Sequence, residues 1–278
     1  MARKLENSTY TIVWIAALPH EREAAEAMLD CKHAPPQHKH PTDDNIYTLG
    51  SIKGQNGDGE HNIVLASLPA GHYGITPTAM AAAHMLSSFP AIKFGLMVGI
   101  GGGIPDVDCD EDVDAERDIR LGDVVVSQPA GVYGGVRQYD LGKGTVNVFV
   151  ETGSLNCPPR VLLNAVSALQ GKNEIIESAM PRFLEEIQKK YPLMARPQQG
   201  PGYLYQGVKN DRLLQADYHH ERGSDCRACD MKKLTKREER YTHDPYIFYG
   251  TIASGAQGDQ GSKRAESTSS DRVSLRRD

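Results

Sequence analysis

Two groups of residues have the types and spacing for chemistry. Gly99-Ile100-Gly101-Gly102-Gly103 directly follows an apolar run, Phe94 to Val98. Glycines there let the backbone close on a ligand and turn N–H groups toward its oxygens. A dinucleotide fingerprint would need a third glycine where Ile104 stands and a helix at once after it; Pro105 and an acidic stretch come instead. A phosphate-cradling P-loop would need a following Gly-Lys-Ser/Thr, which is missing. Glu21 stands two residues after Pro19, in the first turn of an expected helix, where the positive end of the helix dipole favours a carboxylate. Such a group can hold a water or a ribose hydroxyl. A solvated glutamate at a helix start is the commoner arrangement.

Other constellations are weaker. His219, His220, Cys226 and Cys229 offer nitrogen and sulfur ligands in an irregular stretch. Zinc takes three or four of these, but with one cysteine pair free thiols are the ordinary reading, and no metal or other cofactor is expected. The acidic run from Asp106 to Asp118 carries Glu111 where a calcium loop requires glycine and Arg117 where its bidentate glutamate belongs. It reads as a solvated acidic loop. No Gly-x-Ser-x-Gly elbow anchors a hydrolase triad.

The elements that must position these residues alternate between strand and helix. Tyr10–Ala16 is β-branched and apolar, a buried first strand, and Pro19 opens a helix to Asp30. A polar, proline-broken connection over 31–44 leads to strands at Ile46–Ile52 and Asn62–Leu68, separated by the turn cluster Gly54 to Gly59. A buried helix is expected at Thr76–Ser88, then strands at Phe94–Val98 and Asp123–Ser127, with a hairpin through Gly131–Tyr139. Helices follow from Pro158 to about Gln170 and on to about Tyr191. Residues 192–246 read as an irregular insertion, Ile247–Ala253 as a last strand, and 256–278 as a polar disordered tail. The alternation predicts an α/β fold with substantial parallel pairing.

Composition sets the bounds. The 278 residues are 39% hydrophobic with 27 glycines, enough for a packed core. The net charge of −5 and the 6% aromatic content argue against nucleic acid or an anionic membrane as partner. The longest apolar stretch, Phe94 to Ile104, is about half the ~20 residues that span a bilayer. The first residues lack an apolar signal region, and five cysteines make no disulfide framework, so a cytoplasmic protein is expected.

Taken in order, five blocks resemble the nucleoside phosphorylase and nucleosidase superfamily. They are Ile12 to Glu21, Leu68 to Gly74, Phe94 to Gly103, Ile119 to Ser127 and Tyr249 to Gly255. The likeness is strongest to the domain at the N-terminus of many fungal NACHT or ankyrin-repeat, immune-receptor-like proteins. It covers residues 8–255. The resemblance implies a three-layer α/β/α sandwich around a central mixed sheet. It also implies cleavage of the N-glycosidic bond of a purine nucleoside or nucleotide, with Glu21 holding the attacking water. Gly71, Gly99, Ile100, Gly101, Gly102 and Ser254 are the implied substrate-binding positions, with the N–H groups of Gly101 and Gly102 facing ribose or phosphate oxygens. Glu21, the glycine loop and Ser254 are expected to converge on one pocket.

The family's phosphorylases carry an arginine two residues before the first loop glycine and a serine just after it. Met97 and Ile100 stand there. Without that guanidinium clamp hydrolysis is expected over phosphorolysis, and arginines such as Arg22 or Arg120 are the kind of residue that could replace it. The family also continues into a ribose-clasping helix and a strand-end aspartate that protonates the purine; residues 256–278 match neither. The expectation is therefore reduced activity and stability, with Ile247–Ala253 bordering an uncovered groove. A catalytically impaired nucleoside-sensing or interaction module is the alternative, and self-association to a homo-oligomer stays open.

Overall fold

The computed structural model describes residues 2–54, 59–103, 118–144, 149–198, 202–215, 218 and 228–255. The chain forms two compact units, Met1–Gly101 and Gly102–Asp278.

The first unit is built on β1 (Ile12–Ala16), whose apolar, β-branched residues are buried almost throughout. Pro19 then opens α1 (Pro19–Ala27), which ends three residues earlier than expected. Leu29 turns into the core, and the Asp30 N–H bonds to the Ser51 carbonyl. The polar connection contains a short strand β2 (Cys31–Lys32), then come β3 (Tyr47–Lys53) and β4 (Glu60–Ser67). The turn between the last two closes with Gly54 N–H on Gly59 O at 2.8 Å. After α2 (Ile75–Ser88) the chain enters β5 (Phe94–Met97).

These strands form one mixed sheet in the order β2-β3-β4-β1-β5. β1 runs parallel to both β4 and β5, with Ala16 opposite Ser67 and Ile15 opposite Met97, while β3 is antiparallel to β4. Tyr10–Ala16 and Phe94–Val98 therefore belong to one sheet, as the alternation predicts. Strand periodicity of two sorts β1 between the faces. Val13 and Ile15 cluster with Val64, Ala66 and with Ala81 and Met85 of α2. Trp14 clusters with Ile63, Leu65, Leu29 and with Ala25 of α1. Burying each large apolar side chain contributes about 1.5–3 kcal/mol. Phe89 receives the rings of Tyr10 and Tyr47 edge-on at 5.7 and 5.1 Å.

Polar chains brace this unit from inside. The Tyr10 hydroxyl lies 2.9 Å from His33 Nδ1, and Ser51 Oγ lies 3.4 Å from Nε2. Ser51 donates to Glu60 Oε1 at 2.5 Å, and Arg3 donates to Oε2 at 2.6 Å. Since Ser51 gives its proton to a carboxylate, it accepts from His33 Nε2–H, which leaves Nδ1 to accept from Tyr10. Burial pushes the Tyr10 phenol up to about 12, against the opposing charge of Arg3. Near α2, Asp43 accepts from Ser88, from Tyr47 at 2.7 Å and from the Asn45 N–H at 3.0 Å. Asn7 donates both amide hydrogens, to His38 O and Ser88 O at 2.8 Å each.

In the second unit, β6 (Val124–Ser127), β7 (Val136–Gln138), β8 (Gly142–Gly144) and β9 (Phe149–Glu151) precede α3 (Arg160–Ile175), α4 (Met180–Lys190) and the one-turn α5 (Pro192–Ala195). The expected last strand is two strands, β10 (Ile247–Gly250) and β11 (Ile252–Ser254), interrupted at Thr251. β10 pairs in parallel with β6 and β11 with β7. The expected hairpin through Gly131–Tyr139 is replaced by that second pairing, with a tight bridge between Ala130 and Tyr133. The irregular insertion is fastened by charge. Arg237 lies 3.0 Å from Asp118 and 2.9 Å from Asp211, and Arg240 lies 2.8 Å from Asp123. Arg120 pairs with Asp118 at 2.6 Å. Three arginines against three aspartates leave the group neutral, and no side chain in it is more than 14% exposed.

The protein is thus mixed α/β with a mixed sheet and several helices. No helix among the described residues is long and apolar enough to cross a membrane.

Candidate functional site

The parallel strands β1, β4 and β5 all end at one edge of the first sheet. There the Leu68 N–H continues the ladder onto Ala16 O and the Val98 N–H onto Ile15 O, at 3.1 and 3.2 Å. Three loops therefore leave side by side: Ala17-Leu18 into α1, Leu68 to Gly74, and Val98 to Gly101. This is the edge where α/β sheets present ligand sites.

Glu21 links the first of these loops to the third. Leu18 precedes α1 at the cap position and has no side-chain acceptor for the free helix N–H groups. The carboxylate of Glu21 instead folds back over the helix start, its Oε2 accepting from the Ala17 and Leu18 N–H groups at 2.8 Å each. This is the glutamate half of a capping box. Its Oε1 reaches across to the loop after β5 and accepts from the Ile100 N–H at 2.7 Å. Gly99 permits that approach, because a Cβ there would stand 2.7 Å from Oε1. Of four lone-pair positions on the carboxylate three are taken, and the one left is on Oε1.

The other expected site residues fall as follows. Gly71 lies in the loop after β4 in the left-handed region, φ +78°, exposed and with open space where a side chain would be. Gly101 closes the first unit and is exposed. Ile100, also among the expected site residues, is the loop residue whose N–H meets Glu21. Gly102 and Ser254 belong to the second unit, where Ser254 ends β11 opposite Gln138 and its carbonyl accepts from the Tyr139 N–H at 3.1 Å. The Met97 and Ile100 side chains are 64% and 74% exposed, an apolar rim beside the carboxylate.

Neither guessed arginine is at liberty. Arg22 donates to Glu26 at 3.2 Å, Thr48 at 3.0 Å and Ser67 at 3.4 Å, and Arg120 is held by Asp118 and the Glu238 carbonyl. Burial acts to raise the Glu26 carboxyl, but hydrogen bonds from Thr48 and Lys32 and the charges of Lys32 and Arg22 outweigh it and hold it below the usual carboxylate range. This brace beside the candidate site carries no signature in the sequence, because Arg22 and Thr48 meet across 26 residues.

Of the zinc candidates, His219, His220 and Cys226 lie outside the described residues, as does the acidic run from Asp106 to Asp118 except for Asp118 itself; Cys229 is buried as a free thiol. Asp43, Asp44 and His84 bring ligand atoms within 4.8 Å of one another. Both Asp43 oxygens there already accept protein donors.

No protein-family model matches the chain, and no solved structure matches it. Over 250 residues, 88% of this chain, it is 39% identical to a protein of Hyaloscypha variabilis named nucleotide-binding leucine-rich repeat (NLR)-like protein. The match takes in 22% of that protein, so the chain spans about a fifth of the length of the curated relative it matches. That name agrees with the immune-receptor-like side of the resemblance drawn from the sequence.

Proposed function

We propose that the chain is a nucleosidase-like module of an NLR-like protein, folded as a three-layer α/β/α sandwich, that hydrolyses the N-glycosidic bond of a purine nucleoside or nucleotide in the cytoplasm. The observation that carries this reading is the bond between Glu21 Oε1 and the Ile100 N–H of the glycine loop. This bond supports the reading because it leaves a carboxylate with one open acceptor position where the parallel strands of the mixed sheet end, the edge at which α/β sheets present ligand sites. In this mechanism a water donates to the free lone pair of Oε1, which aligns it for attack on the anomeric carbon; as the C–N bond breaks the water's proton passes to Oε1, and the departing base takes a proton from solvent water. The exposed N–H of Gly101 and the open turn at Gly71 line the same edge for the sugar. The test is incubation of the chain with adenosine, inosine, guanosine and their triphosphates, reading free base and free ribose. Base release that disappears in Glu21→Ala is expected; no release from any of the six counts against the reading.

A second reading is a non-catalytic nucleoside-sensing module, in keeping with the receptor-like name of the relative. Saturable binding of a nucleoside without base release is its signature.

A further inference from the structure

α2 carries an outward face without a charge. His84 is the single titratable side chain among its 14 residues, and it lies to one side, 3.3 Å from Asp44. The inner face of the helix is apolar where Ala81 and Met85 enter the core. The outer face is uncharged and mostly apolar as well. Ile75, Thr76, Ala79, Met80, Ala83 and Leu86 are exposed, with Ile75, Met80 and Leu86 open to between 47% and 57%. A helix apolar on both sides has the pattern of one that is covered on both sides. We propose that this outer face of α2 is the interface through which two copies of the chain pair about a two-fold axis.

Shape, charge and area all favour a second copy as the occupant. Ala79 and Ala83 stand one turn apart and make a low centre where another helix can come close, with Ile75, Met80 and Leu86 around it. When two such helices lie antiparallel, Ala79 falls opposite Ala83 of the second copy and Thr76 opposite its Leu86. The two-fold axis repeats each of these pairs in reverse. A charged face repels its own copy, whereas this one brings no like charges together. The exposed side chains of the face present about 600 Å² per copy, so pairing removes about 1,200 Å² from water, the lower end of the range for a specific interface. An apolar patch of that size is at the top of what a monomer leaves open and marks an interaction surface.

The experiment is sedimentation velocity of the unaltered chain, Met80→Lys and Leu86→Lys at rising protein concentration. The unaltered chain is expected to pass from monomer to dimer. Each lysine meets water in the single chain but is buried against an apolar face in the pair, so each variant should self-associate about 100-fold more weakly. Both residues are exposed, so the single chain is expected to keep its fold, and circular dichroism checks that it does. Oxidation of Met80 by hydrogen peroxide, read by peptide mass, needs no substitution and should slow as the dimer forms. An unaltered chain that stays monomeric at every concentration overturns the proposal. So does a dimer that the folded lysine variants retain at equal strength, or one in which Met80 oxidises as fast as in the monomer. Met80 protected in a monomer would assign the face to another part of the same chain and overturns the proposal too. No nucleoside enters the test, so its failure leaves the proposed function standing, and absence of purine release leaves this inference standing.

Discussion

Gly99 and Glu21 are packed so closely that only a hydrogen fits between them: a methyl on Gly99 would lie 2.7 Å from Oε1 and 3.1 Å from the carboxyl carbon. Gly99→Ala is therefore expected to push the carboxylate off the Ile100 N–H without changing any charge. Should the chain release purine, this substitution lowers the rate by about 10²-fold, the scale on which misplaced catalytic groups cost. The measurement is base release beside a thermal melt, since overpacking alone typically costs about 1–3 kcal/mol.

Removing the carboxylate also strips α1 of its cap. Glu21→Ala should destabilise the chain by about 0.5–2 kcal/mol, the usual worth of a helix cap. A urea titration reads it, and a midpoint equal to that of the unaltered chain would show that Ala17 and Leu18 find water as good a partner.

His33 makes stability depend on acidity. Burial and the charge of Arg3 hold its imidazole below the usual histidine range, with Glu60 opposing them. The folded state thus favours the neutral ring, whereas the unfolded chain takes up a proton near pH 6.5. The unfolded state then binds more protons below that value, so the stabilisation is present above about pH 6.5 and lost as pH falls through the lower folded value. Melting temperatures between pH 7.5 and 5 should fall more steeply for the unaltered chain than for His33→Gln; parallel slopes would assign the pH dependence elsewhere.

The ion cluster of the second unit should be intolerant of half-removal. Asp123 receives Arg240 and the Tyr246 N–H, and neither Asp123 nor Arg240 is more than 11% exposed there. Asp123→Ala strands a charge, and the expected cost is about 3–5 kcal/mol. Replacing Asp123 and Arg240 together by apolar residues of similar volume should cost much less. Denaturant unfolding of the single and paired variants decides between a cooperative pair and two independent residues.

Arg22→Ala is expected to lower stability by about 1 kcal/mol through loss of its bonds to Thr48 and Ser67 and to leave any phosphate dependence of base release at zero. Ribose 1-phosphate among the products of the unaltered chain would assign Arg22 or another cation a direct role.

The half of the molecule that carries the glycine loop was largely legible from its residues. Apolar, β-branched runs such as Ile12–Ala16 sit between proline and glycine breaks and can only be buried strands, and Pro19 followed by Glu21 marks a helix start. β2 was not, because Cys31 and Lys32 are exposed and pair only through backbone to β3. α3 continues through Gly171 to Ile175, where glycine suggested an end; a helix interior absorbs that at about 1 kcal/mol. The break at Thr251 arises from two different partners, β6 and β7, and pairing choice leaves no local mark. The same holds for Arg240 and Asp123, which meet across 117 residues. At the candidate site Glu21 was legible as a helix-start carboxylate, but its bond to Ile100 spans 79 residues and could be read only from the fold.

Asn7 begins the triplet Asn7-Ser8-Thr9, which satisfies the acceptor pattern for an N-linked glycan. Its side-chain nitrogen is the atom such a glycan would join, and both hydrogens on it already bridge the His38 and Ser88 carbonyls in the interior. A sugar attached during synthesis would keep the N-terminal segment from closing onto α2, and one offered after folding would find no accessible nitrogen. The chain is therefore compatible only with a folding history in which this asparagine stays bare.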